Sequence, residues 1–251
     1  YSIAEDAPNE TLISEAQRVA AECDVAVILA GLPPRYEIEG IDRSHMHIPQ
    51  NQTDLIMRIA AIRPVVLLLC GGAPIEMPWL SSVSALVNCY LGGEAGASAM
   101  AQILTGEVNP SGKLAETWPL ALTDTPAFRF FSDDRHNVEY RESIYVGYRY
   151  YDAAEKEVLF PFGFGLSYTD YEITGMKLSA DTYANDATDP LKISVTVRNA
   201  AHNAGKEVVQ VYVRDPKSTL QKPEKELKAF TKVALAPGES KTVTLELMPK
   251  D

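Results

Sequence analysis

Three acids and two arginines crowd into one short stretch, Arg35-Tyr36-Glu37-Ile38-Glu39-Gly40-Ile41-Asp42-Arg43. Carboxyl groups at this density suit general acid/base chemistry, in which one carboxylic acid protonates a poor leaving group and, once ionised, activates water. Near neutral pH such an acid needs a pKa raised by apolar surroundings or neighbouring acids. Glu37 and Asp42 are close enough in sequence to Glu39 to raise it, and Arg35 and Arg43 to lower it. The plainer reading of an acidic loop is a solvated turn, because most loop acids carry no chemistry.

The surrounding elements give the stretch its place. It follows the apolar run Val25 to Ala30, which reads as a buried strand, and ligands of open α/β sheets bind outside the carboxyl ends of the strands. Upstream, Leu12, Ile13, Ala16, Val19 and Ala20 recur at helical spacing over 9–22, with Pro8 expected in the first turn. A helix near 50–62, a strand from Val65 to Leu69, a strand at 85–90 and a helix at about 94–105 ending at Gly106 complete the pattern. Strands alternating with helices of this length predict a layered α/β sandwich domain with a mostly parallel sheet.

After about residue 170 the period changes. Leu191, Ile193, Val195 and Val197 alternate with polar residues, Val209, Val211 and Val213 repeat this, and Val243, Leu245 and Leu247 do so near the end. Ala236-Pro237-Gly238 marks a turn between two such strands. An all-β sandwich of fibronectin type III-like character is expected, with about five strands rather than roughly seven and hence a C-terminal edge that reads as truncated. The expected divisions are an α/β domain over 1–122, incomplete at its N-terminus, a connecting segment over 123–169 and the β-sandwich over 170–251.

The connecting segment is aromatic: Tyr140, Tyr145, Tyr148, Tyr150, Tyr151, Phe160, Phe162, Phe164 and Tyr168. Rings at this density either stack on sugar faces or act as packing between domains. Gly163 and Gly165, interleaved with Phe, favour close backbone packing over an open platform.

Composition narrows the function classes. The net charge of −11, from 34 acids against 23 bases, opposes binding to a phosphate backbone and suits a neutral partner. No apolar run approaches the roughly 20 residues that cross a bilayer, so no membrane partner is expected. YSIAEDAPNE lacks the basic and apolar regions of a signal peptide, and the natural N-terminus is expected to lie upstream. Cys23, Cys70 and Cys89 lie in or beside apolar segments without CxxC spacing and read as buried thiols, which leans towards a cytoplasmic location. His45 and His47 lack a third ligand for a metal, and Gly71-Gly72 and Gly92-Gly93 lack the phosphate-cradling patterns. Cys70 beside Gly71 has no G-x-S-x-G context. No cofactor is expected.

Several segments together resemble glycoside hydrolase family 3, the β-glucosidase family: EGIDRSHMHIPQNQ (39–52), GGAPIEMPWL (71–80), YLGGEAGASAMAQILTGEVNPSGKLAETWP (90–119), YRESIYVGYRYYD (140–152), FPFGFGLSYT (160–169) and EVVQVYVRD (207–215). NPSGKL followed by FPFGFGLSYT is the most specific pair, and the resemblance spans essentially the whole chain. It implies a retaining hydrolase in which an aspartate on an N-terminal barrel is the nucleophile and a glutamate on the second domain is the general acid/base. No segment here resembles the barrel.

By that resemblance Glu39, directly before the glycine of the E-G-x-D-R run, is the acid/base, with Glu37 as runner-up. Asp42 and Arg43 match the same run and are expected to form an ion pair that fixes the loop behind the acid/base. Ser143 stands where the family commonly has glycine in Y-x-E-G, which bears on the local turn. Two readings from different classes follow. Either the chain is the acid/base-bearing C-terminal part of a β-glucosidase-type hydrolase, acting on a β-glucoside or oligosaccharide with its missing barrel domain, or it is a non-catalytic carbohydrate-binding or scaffolding unit. Without the nucleophile the isolated chain is expected to be inactive, and unpaired sheet edges favour self-association.

Overall fold

The structure, a computed structural model, describes residues 6–131 and 136–250. These residues fall into two compact units. The first runs to Leu104 and takes in Trp118–Phe128; the second comprises Thr105–Thr117 and the chain from Arg129 onward.

In the first unit, helix α1 (Glu10–Ala21) leads to strand β1 (Ala26–Gly31), α2 (Gln50–Ala60) to β2 (Val65–Cys70), and β3 (Ala85–Tyr90) to α3 (Gly96–Leu104). The strands form a parallel sheet in the order β1-β2-β3, with Ala26 opposite Val65 and Val66 opposite Ala85. β2 is central and the most deeply buried, because Val65, Leu67 and Leu69 face one side and Leu68 the other. An all-apolar strand sequence suits such two-sided burial. Ile13 of α1 and Ile56 and Ile59 of α2 complete the core on the helical side.

The start of α1 corrects one expectation. Pro8 lies outside the helix; Asn9 is the cap, its Oδ1 accepting the Leu12 N–H at 3.1 Å. Asparagine at this position satisfies one of the amides that a first turn leaves without a carbonyl.

The short strand β4 (Trp118–Pro119) belongs to the first unit, and in the second the helix α4 (Tyr148–Ala153) and the short strand β5 (Val158–Phe160) precede β6 (Tyr171–Leu178). β7 (Leu191–Asn199), β8 (Gly205–Val213), β9 (Glu226–Leu235) and β10 (Ser240–Leu247) follow. Two antiparallel sheets result, ordered β10-β7-β6 and β8-β9. Val195 and Val197 meet Val209, Val233, Leu235 and Leu245 in one core. Their alternation with Ser194 and Thr196, whose hydroxyls meet Thr244 and Thr242 across the strand pair at 2.8 and 3.3 Å, is the period-two pattern of a half-wet sheet.

The two most specific sequence segments fold onto each other in this unit. Leu114 N–H donates to the Phe164 carbonyl and Gly163 N–H to the Leu114 carbonyl, both at 2.8 Å. Asn109 uses its whole side-chain amide here: Oδ1 accepts from Ser167 Oγ (2.8 Å) and Tyr168 N–H (2.9 Å), and Nδ2 donates to Thr169 Oγ1 (2.7 Å) and the Ala204 carbonyl (2.9 Å). A Cβ at Gly165 would lie 2.1 Å from the Gly112 carbonyl oxygen, so only glycine allows this approach. The rings pack with one another and with the sandwich: Phe160 stacks on Phe164 at 5.1 Å, and Tyr148 meets Phe162 at 4.8 Å and Tyr212 of β8 edge-on at 6.0 Å.

Candidate functional site

The acidic stretch leaves β1 at its carboxyl end. Gly31 closes the strand against β2, where a Cβ would lie 1.6 Å from the Cys70 carbonyl oxygen. Gln52 of α2 clamps the same peptide, accepting the Gly31 N–H at 2.8 Å and donating to the Gly31 carbonyl at 3.1 Å. The chain therefore departs from a fixed point.

A 3-10 turn over Pro34–Tyr36 follows. Arg35 pairs with Asp6 and lies over the Tyr36 ring, with its guanidinium carbon 5.2 Å from the ring centre. Burial, with a hydrogen bond to Asp6 as the second cause, raises the Tyr36 phenol above its ordinary pKa. Tyr36 meets His45 edge-on at 5.5 Å, and His45 stacks on His47 at 5.3 Å. On the return leg, buried Met46 accepts the Glu76 N–H at 2.8 Å, and Ile48 enters the core. Glu76 bridges outward: Oε2 lies 3.5 Å from His47 Nδ1, and Oε1 accepts the Leu122 N–H at 3.1 Å.

Between these anchors, Ile38, Glu39, Gly40, Ile41 and Asp42 are all exposed, and none of the five takes part in a hydrogen bond or ion pair among the described residues. Glu39 opens a turn in which Gly40 has φ +82°, a left-handed conformation that glycine accepts without strain. Glu39 thus presents its carboxyl to solvent at the carboxyl edge of the sheet. Glu37 is different. It is half-buried, and its Oε1 accepts the Gly72 N–H at 2.5 Å, in the loop just beyond β2. No residue pattern points to this contact, which spans 35 residues and whose donor is a backbone amide.

The expected ion pair between Asp42 and Arg43 is absent among the described residues. Asp42 points into solvent while Arg43 turns inward, where its Nη1 is buried without a hydrogen-bond partner. An exposed pair of adjacent residues gains little from pairing, because water screens it and holding both side chains costs entropy. No group of three metal-ligating side chains occurs among the described residues. The cysteines correct another expectation. Cys23 is exposed, and Cys70 and Cys89 are half-buried. Desolvation, reinforced by the neighbouring Cys70, pushes the Cys89 thiol up to about 11.

Comparison with known proteins adds an independent line. A model of the glycosyl hydrolase family 3 C-terminal domain matches residues 2–168, and one of a fibronectin type III-like domain matches residues 207–251. The chain is 48% identical over 248 residues to thermostable β-glucosidase B of Acetivibrio thermocellus, covering 98% of itself and 33% of that protein. The crystal structure of a Bifidobacterium adolescentis GH3 β-glucosidase superposes with a TM-score of 0.94 at 37% identity, over 100% of this chain and 37% of that one. A β-glucosidase from Kluyveromyces marxianus in complex with glucose gives 0.88 at 41% identity, over 96% and 29%. The chain therefore spans about a third of the length of the relatives it matches.

Proposed function

This chain belongs to glycosyl hydrolase family 3, and from that premise we propose that it is the C-terminal part of a retaining β-glucosidase-type enzyme in which Glu39 is the general acid/base. The substrate in this reading is a terminal, non-reducing β-D-glycosyl residue. The observation that carries it is the contrast between two neighbouring acids: Glu39 is exposed and uncommitted in a turn at the sheet's carboxyl edge, whereas the Glu37 carboxylate is occupied by a backbone amide.

Each step follows from what a glycoside demands. The departing oxygen is a poor leaving group unless protonated, so an acid must stand beside it. A nucleophilic carboxylate about 5–5.5 Å from that acid attacks the anomeric carbon, giving a covalent intermediate, and the first group, now ionised, deprotonates the water that releases the sugar. A carboxyl on a solvent-facing turn is placed to reach a substrate held by another domain. That second carboxylate would come from a barrel domain of the same enzyme, so the chain alone forms no covalent intermediate. A non-catalytic carbohydrate-binding or scaffolding role is the competing reading; the exposed acid at the strand ends favours the catalytic one.

In the complete enzyme, Glu39→Ala should depress kcat/KM on cellobiose by roughly 10²- to 10⁴-fold, the usual worth of general acid catalysis. An activated aryl glucoside, whose leaving group departs unaided, should suffer far less, and azide should restore turnover by replacing the activated water. The chain by itself should hydrolyse p-nitrophenyl β-glucoside no faster than background. Full activity of Glu39→Ala on cellobiose would remove the assignment, and turnover by the rigorously purified chain would remove the need for a second domain.

A further inference from the structure

We infer that Glu37 is a positioning residue: its carboxylate latches the loop that carries Glu39 to the loop beyond β2, by accepting the Gly72 N–H. The inference rests on Glu39 being the acid/base, and it concerns what holds that group in place.

Three observations carry it. The first is the contact itself: Glu37 Oε1 accepts the Gly72 N–H at 2.5 Å across 35 residues of sequence, closer than the usual separation of about 2.7–3.2 Å for an N–H···O bond. The second is the lack of any other tether nearby. Residues 38–42 make no hydrogen bond or ion pair among the described residues, so Glu37 is the last held side chain before Glu39, and the next side chain to turn inward is that of Arg43. Remove the latch and the free span grows to run from Tyr36 to Arg43. The third is the shape of the receiving side. A Cβ at exposed Gly72 would lie 3.0 Å from Glu37 Oε1 and 3.2 Å from Leu91 Cδ1, so a side chain there would press on the latch.

The consequence is geometric. Proton transfer requires the acid within hydrogen-bond reach of the glycosidic oxygen, and a misplacement of about 1 Å can cost on the order of 10²-fold. Glu37 sits two residues from Glu39, and the two fixed strand ends β1 and β2 bracket it. It supplies no proton, and its effect travels through the backbone.

The test uses the complete enzyme with four variants and two substrates. Glu37→Ala should lower kcat/KM on cellobiose by about 10- to 100-fold while changing that on 2,4-dinitrophenyl β-glucoside by less than about threefold. Glu37→Gln, which keeps an oxygen acceptor for the Gly72 N–H, should return to within about threefold of the parent on both. Gly72→Ala should fall between them. Azide should accelerate Glu39→Ala and leave Glu37→Ala unchanged, because the latter still has its base. Hydrogen exchange at the Gly72 amide gives a readout independent of turnover: it should be slow in the parent and in Glu37→Gln and faster in Glu37→Ala. Parent-like activity and exchange in Glu37→Ala would overturn the latch while leaving Glu39 as the acid/base. Equal loss on both substrates would reduce Glu37 to a general structural role and also overturn it. Azide rescue of Glu37→Ala, with Glu39→Ala indifferent to azide, would overturn both assignments at once.

Discussion

Lys113 reaches Glu207 across 94 residues, its Nζ 2.9 Å from Oε1, while the same ammonium donates to the Gly165 carbonyl at 2.6 Å. The pair is mostly enclosed, with side chains only 17% and 13% exposed. It joins the loop after the α/β elements, the glycine-rich turn and strand β8 at a single point. Removing one member of an enclosed pair leaves the other charge without a partner, which costs more than the pair contributes. Lys113→Ala should therefore destabilise the second unit by about 3 kcal/mol, and replacing Lys113 and Glu207 together by Met and Gln should cost less than either single change. Urea unfolding of the three variants checks both expectations.

Ser143 carries φ +51°, the left-handed region where a side chain is strained, and this is the position at which the family commonly has glycine. Ser143→Gly should raise stability by about 0.5–1 kcal/mol, the relief of strain outweighing the extra entropy of glycine in the unfolded chain. Thermal unfolding should show a higher midpoint. Ser143→Val should show a lower one.

The thiols should separate by rate. Cys23 is exposed, whereas the Cys89 thiol is moved from an ordinary 9.0 to about 11 by burial and by Cys70. The thiolate is the reactive form, so at pH 8 maleimide should label Cys23 at least about tenfold faster than Cys89. The sign for stability follows from the same shift. The folded state holds the Cys89 proton more tightly than the unfolded chain does, so this contribution is fully present below pH 9 and is lost as the pH rises towards 11. Cys89→Ala should flatten that alkaline decline in denaturation curves taken from pH 8 to 11.

Edge strand β1 presents Val27 and Leu29 at 51% and 65% exposure, beside exposed Val19 of α1. An apolar edge strand is a template for pairing with a second chain. Light scattering should show the mass rising between micromolar and millimolar concentration. A Val27→Lys, Leu29→Glu variant should stay monomeric over the same range.

The elements were legible in the sequence wherever periodicity was strong. Val65 to Leu69 reads as a strand because a run buried on both faces needs apolar residues throughout, and Leu191 to Val197 because one wet face forces alternation. Sequence alone puts Pro8 in the first turn, whereas the asparagine after it caps the helix through a side-chain bond that composition does not reveal. Cys23 reads as buried from its apolar neighbours, yet it lies just after the end of α1 and is exposed. At the candidate site, the acids could be found from their density and from the strand that precedes them. Their separate circumstances could not be, because what distinguishes Glu37 from Glu39 is a main-chain amide 35 residues away, and every residue type carries one of those.

Asn109, whose amide serves four partners at once, is followed by Pro110. Asparagine side chains age chemically when the next residue's backbone nitrogen attacks the amide carbon, closing a succinimide ring and expelling ammonia. Proline offers no N–H for that attack. Conversion to aspartate would turn the bond donated to the Ala204 carbonyl into a repulsive contact, and would set the new carboxylate in competition with the Asn203 carbonyl for the Thr169 hydroxyl proton. The residue beside Asn109 thus shields the junction's most heavily used side chain from slow decay, so storage-induced deamidation should accumulate at other asparagines first.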